Sequence, residues 1–232
     1  MDHARVVATA ARSALAVLFP VCCVGCGVPD TAVCGSCERT MAGPVTRREL
    51  EPGFAVWAGA AYTDAARRAI LALKNEHRTD AAGALARVLL TAIAAATIDL
   101  SGLPGPPVRV ILAAPPSSRS AYRRRGYRPV DVVVAKTGLR LEHPLAWRRQ
   151  PADQIGLTIE ERQHNLSGSL RARTAVEGRA FLLVDDVVTT GATLLESRRA
   201  LVAGGASVVG AAVVAATPRR LRRVADQFVR VE

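Results

Sequence analysis

Between Phe181 and Leu194 the chain passes from four apolar residues (Phe181-Leu182-Leu183-Val184) to two acids, Asp185 and Asp186. It then enters a hydroxyl-rich turn, Thr189-Thr190-Gly191, and a helix start at Ala192-Thr193-Leu194. A second apolar run, Ser207–Ala215, follows the helix expected over Thr193–Ala203. Strand, helix and strand in that order call for a parallel sheet, whose ligands sit beyond the carboxyl ends of the strands. A helix start offers unpaired backbone amides and the positive end of a dipole, both of which attract phosphate. Gly191 permits close backbone approach, and Thr189, Thr190 and Thr193 add hydroxyls. The two acids would repel a phosphate lying on them. They suit a ligand whose hydroxyls lie one step from its phosphate, a ribose 5-phosphate, and can accept from its 2- and 3-hydroxyls or bind Mg²⁺. Neither G-x-x-x-x-G-K-[ST] nor G-x-G-x-x-G occurs in the chain.

The rest of the sequence fits an α/β fold with a mostly parallel sheet flanked by helices. Phe54–Tyr62 alternates like a strand, Asp64–Asn75 and Asp80–Ile98 have helical spacing, and Val108–Ala113 is a short buried strand. Pro115–Arg128 reads as a long polar loop and Pro129 opens a helix over Val130–Leu139. Arg148–Leu170 reads as a polar excursion, and Met41–Gly53, with two glycines and two prolines, as a linker. Ahead of it, Arg5–Phe19 is an expected amphipathic helix.

All five cysteines lie between Cys22 and Cys37. Cys23-x-x-Cys26 and Cys34-x-x-Cys37 form two knuckles, each able to turn two thiolates onto one tetrahedral ion. Cys22 is spaced wrongly for a knuckle. No export signal is legible, so structural zinc on Cys23, Cys26, Cys34 and Cys37 is favoured over disulfides. Four sulfurs leave no open position for catalysis. A redox pair or buried thiols are the alternatives. The resulting division is a helix and zinc module over residues 1–50 and an α/β domain over 51–232.

The formal net charge is +11, and all the cations but Lys74 and Lys136 are arginines. Arginine pairs bidentately with phosphate oxygens, so this balance suits phosphorylated ligands or nucleic acid. A solvated basic surface would have the same composition. Aromatics make up 4% of the chain, too few for an extended stacking platform on single strands. No uninterrupted apolar run reaches membrane-spanning length, and a cytoplasmic protein is expected.

The Val184–Leu194 segment resembles the phosphoribosyl-pyrophosphate (PRPP) motif of type I phosphoribosyltransferases. The whole pattern, cysteine module included, is similar to the ComF/GntX family of amidophosphoribosyltransferase-like proteins. The resemblance implies that Asp185 and Asp186 hold the ribose diol, that Thr189, Thr190, Gly191, Ala192 and Thr193 wrap the 5-phosphate, and that Val187 belongs to the same PRPP-binding segment. It implies a pyrophosphate loop at Pro115, Pro116, Ser117, Ser118 and Arg119, without the family's usual histidine. Arg123, Arg124 and Arg125 before Gly126-Tyr127 resemble the family's R-x-R-G-F, though Arg128-Pro129 stands where Asn-Gln is usual. Arg148, Gln154, Gly156, Leu157, Glu161, Arg162 and Asn165 match a flexible catalytic lid. Such a lid excludes water from an oxocarbenium-like transition state. The implied chemistry is transfer of phosphoribose to an unidentified acceptor, with Mg²⁺ bound alongside PRPP. The alternative is a non-catalytic PRPP- or nucleotide-binding protein serving DNA uptake in competence. Single-stranded DNA would then be a ligand, and a homo-oligomer or a competence helicase the partner. Neither His77 nor His164 has a sequence partner that marks it as a base.

Overall fold

The structure is a computed structural model that describes residues 21–102, 109–149, 166–173 and 175–218. The expected N-terminal helix and the lid residues Gln154, Gly156, Leu157, Glu161, Arg162 and Asn165 lie outside the described residues.

A short helix, α1 (Gly35–Met41), follows the cysteine knuckles. The hairpin β1 (Thr46–Glu51) and β2 (Phe54–Ala61) leads into α2 (Asp64–Asn75) and the long α3 (Ala82–Ser101). After β3 (Val110–Ala113) come α4 (Arg119–Arg125), α5 (Pro129–Ala135) and β4 (Leu141–Glu142). A small hairpin, β5 (Leu145–Trp147) with β6 (Leu170–Ala172), precedes the core unit of β7 (Ala180–Val188), α6 (Ala192–Val202) and β8 (Ser207–Ala216).

Six strands form one sheet in the order β1-β2-β8-β7-β3-β4, and β1 alone runs antiparallel to its neighbour. Alternation along the central strands sends side chains to two cores. Leu182, Val184, Ala212 and Val214 join a cluster with α2, α3 and α5; Phe181, Leu183, Ala211 and Val213 join one with Leu194 and Leu201 of α6. From β3 the chain crosses to β4 on one side, while from β7 it crosses to β8 on the other. The carboxyl ends of β3 and β7 are therefore the topological switch point, where a crevice opens.

Aromatic residues are scarce, and alanine takes their place through close packing. Helix α3 buries Ala82, Ala84, Ala86, Ala92 and Ala96 along with Leu85, Val88 and Leu89. It lies so close to β2 that a Cβ on Gly59 would come 2.1 Å from the Val88 carbonyl oxygen. Thr79–Ser101 is long and apolar enough to cross a membrane by length and composition, but half of that stretch is buried in the domain. Its apolarity belongs to packing on β2 and β8.

Three segments differ from expectation. Thr46–Glu51 forms an edge strand where a linker was expected; its Arg47, Arg48, Glu49 and Glu51 suit an open sheet edge and hide its strand character. Part of the Pro115–Arg128 loop is helix α4, capped by the Ser118 hydroxyl, which accepts from the Ala121 amide, and ended by left-handed Gly126 at φ 75°. No residue of α4 is buried, so no apolar period announces it. Strand β7 runs past the apolar residues through both acids, because β8 pairs with it as far as Val188↔Ala216.

Gly59→Ala is expected to lower stability by about 1–3 kcal/mol, the usual cost of overpacking, because the clash is with backbone rather than a movable side chain. Urea unfolding followed by circular dichroism measures it.

Candidate functional site

At the switch point a cavity of about 370 Å³ opens between the ends of β3 and β7. Asp185, Asp186, Val187, Thr189 and Thr193 form one wall, and Pro115, Pro116, Ser117 and Ser118 the facing one. Tyr62, Lys74, Arg125, Arg128 and Asp131 close it around the rim. Thr190, Gly191 and Ala192 shape the turn behind this wall rather than lining the cavity. The Thr190 hydroxyl accepts from the Ala192 amide at 3.3 Å. Gly191 has φ 86°, a left-handed conformation that favours glycine, and a Cβ there would press on the Leu50 side chain at 2.4 Å. Arg48 of β1 donates to the Thr189 carbonyl at 2.9 Å and braces the turn from the sheet edge.

The acid pair is held by a residue that sequence reasoning passed over as a site residue. The Lys74 ammonium at the end of α2 donates to Asp186 Oδ1 at 2.8 Å. Burial works against the charge on Lys74, but Asp186 and then Asp185 outweigh it and raise its pKa. Burial first, then the charge of Asp186, pushes Asp185 up to about 7, with partial relief from Lys74 and the Asp186 amide. That amide donates to Asp185 Oδ1 at 2.8 Å. Asp185 lines the cavity, where its carboxylate can meet a hydroxyl or a cation. The one sequence signal for Lys74 was its rarity, as one of two lysines in the chain.

The arginines of Arg123-Arg124-Arg125 separate. Arg125 turns inward: its Nε donates to the Lys74 carbonyl at 2.8 Å, and it lines the main cavity. The Tyr127 hydroxyl donates to the Leu73 carbonyl beside it. Arg123 lines a second cavity with Arg119, and Arg124 is exposed. Arg119, expected on the pyrophosphate loop, thus lies outside the main cavity. The loop is also pinned from behind, since Trp147 Nε1 donates to the Ser117 carbonyl at 3.0 Å. Arg148 follows that tryptophan, and its amide donates to Ser169 O at 2.7 Å, across the base of the β5–β6 hairpin. His77 packs edge-on against Tyr127, a structural contact.

Away from this cavity, the Cys23, Cys26, Cys34 and Cys37 sulfurs all lie within 4.8 Å of one another. Tetrahedral coordination at about 2.3 Å asks for sulfurs about 3.8 Å apart, so small adjustments would seat one ion. The Cys34 and Gly25 amides donate to Cys23 Sγ at 3.2 and 3.4 Å, stabilising thiolate character. The Ser36 hydroxyl, the largest influence on Cys34, lowers its pKa to about 6; burial pushes Cys37 up to about 12. A Cβ on Gly25 would sit 2.5 Å from Cys37 Sγ, so the first knuckle needs glycine there. The cluster could hold a metal ion. Cys22 stands apart, exposed. Its carbonyl accepts from Arg78 at 2.8 Å, tying the module to the turn after α2.

The model of the phosphoribosyl transferase domain matches residues 123–232. The chain is 31% identical over 183 residues to the DNA utilization protein YhgH of Salmonella typhi, covering 75% of this chain and 74% of that protein. It is 30% identical over 179 residues to the DNA utilization proteins YhgH of Escherichia coli strain K12 and of Shigella flexneri, with the same coverage. With a phosphoribosyl transferase domain, these relatives over three quarters of its length and a four-cysteine cluster ahead of the domain, the chain belongs to the ComF/GntX family of phosphoribosyltransferase-like proteins, together with these DNA utilization proteins.

Proposed function

We propose that the cavity between β3 and β7 binds PRPP and positions it for phosphoribosyl transfer. The observation that carries this reading is the convergence on one cavity of an acid pair, a threonine turn at a helix N-terminus and two arginines. Asp185 and Asp186 accept from the ribose hydroxyls. The Thr189 and Thr193 hydroxyls, at the N-terminal end of α6, take the 5-phosphate. Ser117, Ser118, Arg125 and Arg128 face the pyrophosphate. Transfer forms a bond from the acceptor to C1 and breaks the C1–oxygen bond, and pyrophosphate departs with the electron pair. The chain contributes orientation and fixed positive charge near that leaving group. Asp185, which lines the cavity, suits Mg²⁺ carried in with the pyrophosphate; the ion would supply further charge neutralisation there. Zinc is the metal assigned to the four cysteines, in a structural role.

A second reading, single-stranded DNA as a ligand, is favoured by the names of the relatives and by exposed Arg123 and Arg124 on α4. In that reading PRPP binding regulates or accompanies DNA handling without turnover.

Calorimetric titration of Mg²⁺ and PRPP into the full chain is expected to show one site, weakened at least about tenfold by Asp185→Asn with Asp186→Asn, the loss of two hydrogen bonds to charged groups. Equal binding by the double variant refutes the assignment. Pyrophosphate release across a panel of nucleobases and amines then separates the transfer reading from the binding-only one.

Because the Asp185 pKa is raised from 3.8 to about 7, its contribution to folding stability is complete below about pH 4 and is lost as pH rises through 7. Asp185→Asn should therefore gain melting temperature over the wild type between pH 6 and 8. Affinity for Mg²⁺ with PRPP should rise over the same interval in the wild type, as the carboxylate ionises, and rise less in that variant. Elemental analysis is expected to find one zinc per chain. Chelation, or Cys26→Ser, should remove the zinc and lower the melting temperature.

A further inference from the structure

Beside the main cavity lies a second one of about 270 Å³, lined by Ser117, Arg119, Tyr122, Arg123 and Arg128. Three of these five residues are arginines and none is acidic. Arg119, Tyr122 and Arg123 project from α4 at positions i, i+3 and i+4, one face of a helix. Tyr122 is 47% exposed, an unusual setting for an aromatic ring in a chain so poor in them. The Arg128 guanidinium, which lies 3.6 Å from Asp131, is 5.7 Å from the centre of its ring and covers one side of it. Ser117 and Arg128 line both cavities, so the two adjoin.

A flat ring with guanidinium groups around it matches a ligand that joins a flat ring to phosphate. We infer that this second cavity is a nucleotide subsite, in which a base stacks on Tyr122 while its phosphate pairs with Arg119 and Arg123. The inference rests on the PRPP reading only in one respect: through Ser117 and Arg128, an occupant here abuts the pyrophosphate end of the main cavity. The nucleotide is either free or the end of a single strand. Both present the same base and phosphate.

The test uses the full chain saturated with Mg²⁺ and PRPP, so that the main cavity is filled. AMP, a short oligothymidylate and inorganic phosphate are titrated separately. AMP or the oligonucleotide should bind, and Tyr122→Leu should weaken it about tenfold, the loss of one stacked base. Tyr122→Phe should retain it, and both variants should keep wild-type PRPP affinity. Tighter, steeply salt-dependent binding of the oligonucleotide identifies a strand end as the occupant, and comparable shallow binding of AMP identifies a free nucleotide. Unchanged affinity in Tyr122→Leu overturns the proposal, as does inorganic phosphate binding as well as AMP. If PRPP itself does not bind, the PRPP reading fails, and the Tyr122 dependence is read with the main cavity empty.

Discussion

Two adjacent carboxylates on a central strand repel each other, and burying them raises the cost. In this protein the Lys74 ammonium, 2.8 Å from Asp186, makes the arrangement tenable. The pair lets Asp186 stay in a nearly closed setting while Asp185 lines the cavity. It also makes the C-terminal end of α2 part of the site. That helix is held at both ends: Arg125 and Tyr127 donate to the carbonyls of Lys74 and Leu73 at its C-terminal end, and the cysteine module packs toward its N-terminal half. Cys23, Cys37 and Met41 share a core cluster with Ala65, Ala66 and Ile70 of α2, and Arg78 reaches back to the Cys22 carbonyl. The module is thus a buttress for the helix that neutralises the acids.

The sheet supplies the other half of the geometry. Crossovers leaving β3 and β7 in opposite directions open a crevice at their carboxyl ends. Both walls are then tied to distant elements, the threonine turn to β1 through Arg48 and the proline-serine loop to β5 through Trp147. Donors fixed in this way need little reorganisation when a charged ligand arrives, which is the physical basis of electrostatic preorganisation. Alanine-rich packing of α3 on β2 and β8 lets a chain with few aromatics build this frame.

Much was legible in the sequence because some elements carry their signal locally. The apolar run before Asp185, the turn glycine at 191 and the helical spacing of Asp64–Asn75 each depend on neighbours a few residues away. The two cysteine knuckles likewise announce their own geometry. The edge strand Thr46–Glu51 and helix α4 were not legible, because exposed elements rich in arginine have no buried face to impose a period. The end of strand β7 is not legible either, because its last residues are held by pairing to β8 rather than by an apolar run of their own.

The sequence by itself determined the α/β class, the phosphate-type turn, the acid pair and the four-sulfur cluster, since each is written in residues close together along the chain. Only the tertiary structure decided that Lys74 faces Asp186 across 112 positions. It also parted Arg125 from Arg123 and Arg124, and moved Arg119 out of the main cavity into a second one with Tyr122. Those outcomes depend on which helix ends and loops the sheet's strand order brings together, and no local pattern encodes that order.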